Sequence, residues 1–322
     1  MKLKFLAFTI ALFCTQTNFA QYTDVINSNR PGESMSAFAV GKTVIQLESG
    51  INYLSEKHSL LDYKANGLGL DFDLRYGFFK EQFETIVEVQ YQNDTYTTSD
   101  FSTNRTGLKN TTIGAKYLVY DPFKYYEEKV NLYSWKANHK ANWRQLIPAV
   151  AVYGGVNLNF NNKFVDNAIK QENISYKAML VTQNHFGNGY VFVTNIFADR
   201  ISSKLQSLEY ILTLTKGFNE HWSGFLENKA IKGDYYADVI FRGGAAYLLN
   251  SNLQIDASLS KNYKDTPAIF YGGIGVSWRS TTNYKDVLIR AKKKDDKKKD
   301  KSTKGKDKEK AKKRLDEIEL KP

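Results

Sequence analysis

The sequence predicts an all-β chain: an antiparallel transmembrane β-barrel of about twelve strands, with a signal peptide before it and a disordered basic tail after it. Three observations predict this. Residues 43–279 are built from runs of about 10–14 residues in which apolar and polar side chains alternate, and a tilted strand needs roughly 9–11 residues to cross a bilayer. The turns between alternate pairs of runs are short and flanked by aromatic residues. No stretch reaches the 18 or so apolar residues of a membrane helix.

The alternation can be read residue by residue, because successive side chains of a strand point to opposite faces. Leu68, Leu70, Phe72, Leu74 and Tyr76 share one face, against Asp71, Asp73 and Arg75. Val239, Phe241 and Tyr247 oppose Asp238 and Arg242; Leu253, Ile255, Ala257 and Leu259 oppose Gln254, Asp256, Ser258 and Ser260. A lipid-facing charge costs roughly 2–4 kcal/mol near the bilayer midplane. The consistent register of the charges therefore implies a polar interior.

From the N-terminus, Lys2 and Lys4 precede the apolar run Phe5 to Phe13, and Ala20 precedes Gln21, the form of a signal peptide over residues 1–20. Residues 21–42 are polar, contain Pro31 and Gly32, and read as a periplasmic N-terminal arm or plug. Strands are expected at 43–54, 67–78, 82–96, 107–120, 146–160, 173–185, 188–200, 206–218, 221–232, 234–249, 252–261 and 267–279. With both termini in the periplasm, the turns after strands two, six, eight and ten are periplasmic. Phe79 and Phe83, Phe186 and Tyr190, and Phe218 and Trp222 bracket three of them. Aromatic rings favour the membrane–water interface, so these six form the expected periplasmic girdle. Outer loops are expected at 55–66, 97–106 and 161–172. The connection 121–145 is too long for a periplasmic turn, and its role is open.

The net charge of +11 is unevenly placed. Residues 285–322 carry 17 Lys/Arg against 9 Asp/Glu, so the body is close to neutral. The Lys-rich segment 280–322 has almost no apolar residue between Lys292 and Leu315, and that tail cannot bury enough surface to fold alone. It is expected in the periplasm, where an anionic partner would suit it. Nucleic acid does not fit a secreted barrel.

The stretch NSNRPGESMSAFAVGKTVIQLESGINY resembles the opening motif of the outer-membrane, transporter-like family named for the MetA pathway of phenol degradation. Arg30, Pro31, Ser34, Ser36, Val40, Gln46, Glu48, Gly50 and Tyr53 carry the resemblance, with a second match at Gly107-Leu108 and Ile113-Gly114-Ala115-Lys116-Tyr117. Asn29 stands where that family usually has Asp, and an acidic residue is likewise missing near Asn110. The resemblance implies a barrel in the outer membrane of a Gram-negative-type bacterium and passage of small organic compounds, with no substrate fixed.

Glu48, Asp71, Asp73, Arg75, Glu88, Lys116, Asp238 and Arg242 are the lumen-lining candidates. No catalytic set is visible. G-x-S-x-G and H-E-x-x-H are absent, and His58, His139, His185 and His221 are scattered. The only cysteine, Cys14, lies in the leader, so no thiolate metal site is indicated, and no cofactor either. The reading is a passive channel or transporter, not an enzyme, for small organic molecules, hydrophobic ones included, with the lipid bilayer as its surroundings. The alternative is a structural or adhesion barrel with a filled lumen, acting through its loops and basic tail.

Overall fold

The computed structural model describes residues 26–122, 143–159, 163–165 and 172–280. The expectations placed on the leader, on the connection 121–145, on most of 161–172 and on the tail beyond 280 lie outside the described residues.

Twelve strands run in chain order: β1 (Ile45–His58), β2 (Tyr63–Gly77), β3 (Phe83–Thr98), β4 (Ser102–Tyr120), β5 (Ala149–Leu158), β6 (Ile174–Phe186), β7 (Tyr190–Ile201), β8 (Ser207–Gly217), β9 (Trp222–Gly233), β10 (Ala237–Asn250), β11 (Leu253–Asn262) and β12 (Ala268–Arg279). Each pairs antiparallel with its neighbours in sequence, and β1 pairs with β12 from Gln46↔Arg279 to Lys57↔Ala268, which closes the barrel. Closure leaves no sheet edge, so every strand satisfies its backbone groups within the wall. Among the described residues no helix is long and apolar enough to cross a membrane. The predicted fold class and strand number hold.

The register settles the two faces. Gln46, Glu48, Gly50 and Asn52 of β1 stand opposite Arg75, Asp73, Asp71 and Gly69 of β2, and all point inward. Ile45, Ile51, Tyr53, Leu68, Leu70 and Phe72 point outward and are exposed to the surroundings of the barrel. Outward apolar groups and inward charges are the inverse of a soluble protein, and only lipid outside makes that arrangement favourable.

Two of the expected outer loops are not loops. The hairpins β1–β2 and β3–β4 turn within 59–62 and 99–101, so most of 55–66 and 97–106 is strand. The physical reason lies in their outward side chains. Ser55 bonds Asn66 at 2.8 Å, Asn93 accepts from Thr106 at 3.0 Å, and Thr97 meets Ser102 at 3.0 Å. The apolar alternation stops where lipid would end, but the backbone ladder continues on polar cross-strand pairs.

The terminal end of the barrel, where Gln46 meets Arg279, carries the turns after β2, β6, β8 and β10. Phe79, Phe218 and Trp222 are exposed there, while Phe83, Phe186 and Tyr190 are half-buried. Trp222 packs on Tyr247 at 4.8 Å, and Lys216 lies 4.4 Å from the Tyr190 ring centroid.

Inside the barrel, residues 26–42 fold back from β1 and occupy the terminal half of the lumen. Their apolar groups Met35, Ala37 and Phe38 pack on Ile86, Leu118, Ala149, Ala151, Tyr153, Met179, Val181, Phe197 and Ile211, the apolar inner wall of β3–β8.

Candidate functional site

An extended segment inside a barrel cannot pair its backbone with the wall strands, which already bond each other. Its N–H and C=O groups must find side chains or water. Alternation puts charged and amide side chains on the inner face, and these meet the segment.

On β1–β4 the partners form a line of fully buried charges, Glu48, Arg75, Glu84 and Lys116. Arg75 bridges Glu48 at 3.2 Å and Glu84 at 3.0 Å, and Lys116 Nζ lies 2.7 Å from Glu84. Each also holds main chain. Asn29 and Arg30 donate their N–H groups to Glu48 at 3.1 Å, and Val40 donates to Glu84 at 2.8 Å. Arg75 donates to the Asn27 carbonyl, and Lys116 to those of Ser36 and Phe38. Across the lumen, Asn195 exchanges two hydrogen bonds with Met35, at 2.6 and 2.9 Å. Gln183 accepts from Ser36 Oγ and Ala37 N, and Arg279 donates to the Val40 carbonyl. These four buried charges are tolerated because each is ion-paired and hydrogen-bonded.

Arg30 is the anchor at the segment's turn. Its guanidinium bonds Asp256 at 3.3 and 3.1 Å and lies 3.9 Å from Asp71. It rests on two glycines paired across β1 and β12, Gly50 and Gly275. A Cβ on either would stand 2.4 or 2.3 Å from guanidinium nitrogens. Gly50→Ala is therefore expected to expel Arg30 from Asp256, a charged hydrogen bond of about 1.5–3 kcal/mol, while the barrel stays folded. The check is a higher open probability in single-channel recordings at unchanged heat-modifiable gel mobility.

At the segment tip, the Glu227 carboxylate accepts the N–H groups of Glu33 at 3.0 Å and Ser34 at 3.2 Å, together with Thr213 Oγ1 at 2.9 Å and Arg242 at 3.3 Å. The Glu33 side chain reaches Arg242 Nη2 at 2.5 Å and Lys229 Nζ at 3.1 Å, and Lys229 also pairs with Glu209 at 3.1 Å. Partial removal from water inside the lumen pushes the Glu33 carboxyl up, and the Arg242 and Lys229 charges outweigh it, holding the group well below the usual carboxylate range. A depressed value means the ion pair is fully formed above the ordinary Glu value of ~4.3 and is lost only as pH falls through the lowered one. In a difference infrared spectrum against Glu33→Gln, the Glu33 band is expected to be that of a carboxylate still at pH 4. A protonated-acid band at that pH would contradict the pairing.

Beneath the tip, between the segment and the wall of β7–β11, lies a cavity of about 100 Å³. Val191, Val193, Thr213, Thr215, Phe225 and Ala246 line its wall side, Ile26, Arg30, Pro31 and Gly32 its segment side, and His221 and Trp222 its terminal end. The segment is thus gripped by charges along β1–β4 and at its tip, and the wall strands at this cavity offer it mainly apolar and hydroxyl groups, with Glu220 at the terminal end. A cavity of roughly 150 Å³ encloses a benzene ring, so this space is narrower than one aromatic molecule.

Of the candidate residues, Glu48, Arg75, Lys116 and Arg242 hold the segment. Asp71 meets Arg30 and accepts from Asn52. Glu88 pairs with Lys177 at 3.6 Å, further along the lumen. Asp238 stands apart from the segment, bonded to Tyr236 and Asn262. Asp73 is in register with Glu48 and Glu88 and makes no ion pair within 4.0 Å among the described residues. Gln183, Asn195 and Glu33 hold the segment as well and are not among the residues predicted from the sequence. Gln183 and Asn195 did leave a signal: each is an amide next to apolar inward neighbours, Met179 and Val181 or Val191 and Val193. Such an amide needs a partner, and here the partner is backbone. Among the described residues no group of His, Cys, Asp and Glu is arranged to hold a metal ion.

The family described as "Putative MetA-pathway of phenol degradation" matches residues 28–280. No curated protein matches the chain. Among solved structures, an outer-membrane channel from Pseudomonas putida F1 aligns with a TM-score of 0.50 at 12% identity, covering 76% of this chain and 98% of its own. The translocator domain of the autotransporter NalP from Neisseria meningitidis gives 0.44 at 10% identity, covering 74% and 89%. The KdgM porin gives 0.41 at 11%, covering 71% and 98%. At such identities the likeness to the first is one of fold, the closed barrel of outer-membrane proteins.

Proposed function

This chain belongs to the MetA-pathway phenol-degradation family, and we propose that it is an outer-membrane channel for passive movement of small organic molecules, hydrophobic ones included. The observation that carries this is a lumen left incompletely filled: between the segment and the wall of β7–β11 lies a small cavity whose wall side is largely apolar or hydroxyl-bearing. A barrel whose interior only needed filling would pack both sides. Twelve strands also enclose a wider lumen than the eight whose interior side chains just fill it. The open remainder is lined by Asp71, Asp73, Glu88 and Asp238, which would set its charge selectivity. Nothing in this arrangement calls for catalysis.

In this reading the terminal end, with its girdle, faces the periplasm. The tail lies there too, where its excess of Lys would meet anionic phospholipid. A peptide of residues 285–322 should sediment with anionic vesicles and remain in solution with zwitterionic ones; equal behaviour removes that partner.

The test is single-channel recording of the purified chain in planar bilayers. Discrete openings of small amplitude are expected. Silence from barrels shown to be folded by heat-modifiable gel mobility would favour the filled structural or adhesion barrel.

A further inference from the structure

Glu33 is the only acidic residue in the stretch 26–40. Its side chain is 43% exposed to the lumen, whereas its partners Lys229 and Arg242 are 19% and 13% exposed. The two cations are thus built into the wall, and the carboxylate is the loose member. The main chain of Glu33 is held independently, through its N–H on Glu227. Rotation about the Glu33 side-chain bonds therefore withdraws the carboxylate without disturbing the segment.

With that carboxylate withdrawn, Arg242 keeps Glu227 on Nη1 and Lys229 keeps Glu209, while Arg242 Nη2 and one N–H of Lys229 face an empty position. Two cationic donors converging on one vacancy make a carboxylate site, because the guanidinium presents fixed N–H groups and the ammonium adds a second charge. The surroundings favour an apolar body on that carboxylate. The Phe197 ring centroid is 5.9 Å from Lys229 Nζ, and Val193 and Phe225 line the cavity below.

We propose that Arg242 and Lys229 form a binding site for a small organic carboxylate with an apolar body, and that Glu33 is a tethered occupant which this ligand displaces. The proposal deepens the channel reading and rests on it only in treating the bound acid as the permeant. A short tether presents its group at an effective concentration of about millimolar, so the wild-type chain should release Glu33 only to comparable concentrations of ligand. Removing the competitor should raise affinity by about tenfold or more.

The experiment is equilibrium dialysis of radiolabelled benzoate, and of its neutral analogue benzamide, against the full chain in detergent. Glu33→Gln should bind benzoate at least about tenfold more tightly than wild type, with benzamide unchanged between the two. Adding Arg242→Gln to Glu33→Gln should abolish the gain. Equal benzoate affinity in wild type and Glu33→Gln, or an equal gain for benzamide, overturns the proposal. Should Glu33→Gln fail the heat-modifiability check, Glu33→Ala takes its place. Wild type that binds benzamide as well as benzoate overturns the proposal without any variant. Binding at equilibrium needs no transport. A silent bilayer alongside benzoate binding would therefore remove the channel and leave the site, and conduction without benzoate binding would do the reverse.

Discussion

Deleting residues 26–40 is expected to convert the barrel from a small conductor to a large one, with a severalfold rise in single-channel current. The segment meets the inner face of β1–β4, β6, β7 and β9–β12 and so stands across the terminal half of the lumen. The wall itself does not depend on it, since every strand is paired on both sides without the segment. Its removal unpairs wall groups, but water then replaces it, and a solvated Glu48 or Asn195 costs far less than one buried without a partner. The same deletion leaves Arg75 between Glu48 and Glu84, and Glu84 beside Lys116, so the charges of β1–β4 still neutralise one another. The barrel should therefore retain its heat-modifiable mobility while its current rises. Unchanged current in a folded deletion variant would mean that the lumen is closed elsewhere.

Substituting Lys116 is expected to be the most damaging single change to the hold on the segment. Its ammonium is fully buried, compensates Glu84 and supplies the donors for two segment carbonyls. In Lys116→Met, Glu84 shares Arg75 with Glu48, so two carboxylates compete for one guanidinium, and the carbonyls of Ser36 and Phe38 lose a partner. Removing one member of a buried ion pair typically costs about 3–5 kcal/mol. The variant should show both a lower unfolding midpoint in guanidinium chloride and a higher open probability. The double variant Lys116→Met/Glu84→Gln removes the stranded charge as well, so it should be less destabilised than the sum of the two single changes. Simple additivity would show that Lys116 and Glu84 do not act as a pair.

Alternation made the faces legible. Asp71, Asp73 and Arg75 against Leu70, Phe72 and Leu74 could be assigned to lumen and lipid with no structure, because a one-residue slip would place charges in lipid. Strand ends were legible only where the apolar face ends, and so the polar extensions through 55–66 and 97–106 read as loops. The path of residues 26–42 was hidden for a different reason. The wall recognises their main chain, and main-chain groups are identical in every residue, so the segment carries no pattern that points to its partners. Glu48, Arg75 and Lys116 were visible as inward charges, but their common task was not. Nothing in the alternation separates them from Asp238, which bonds only its own neighbourhood.

Because the wall grips main chain, identity should matter little along most of the segment. Ser34, Met35, Ala37 and Phe38 are held by hydrogen bonds through N–H and C=O groups that any amino acid except proline supplies, so swaps there that keep the apolar volume of Met35, Ala37 and Phe38 should leave the closed state intact. Arg30, Gly32, Glu33 and Ser36 are the exceptions: Arg30 for its guanidinium, Gly32 because a Cβ there would stand 2.7 Å from Glu227 Oε2, and Glu33 and Ser36 for their side-chain bonds to Arg242 and Gln183. The barrel is in this sense a reader of chain shape rather than of spelling. A peptide of the same extended outline that keeps those four residues and the apolar volume at 35, 37 and 38, tethered at β1, should close it as its own does.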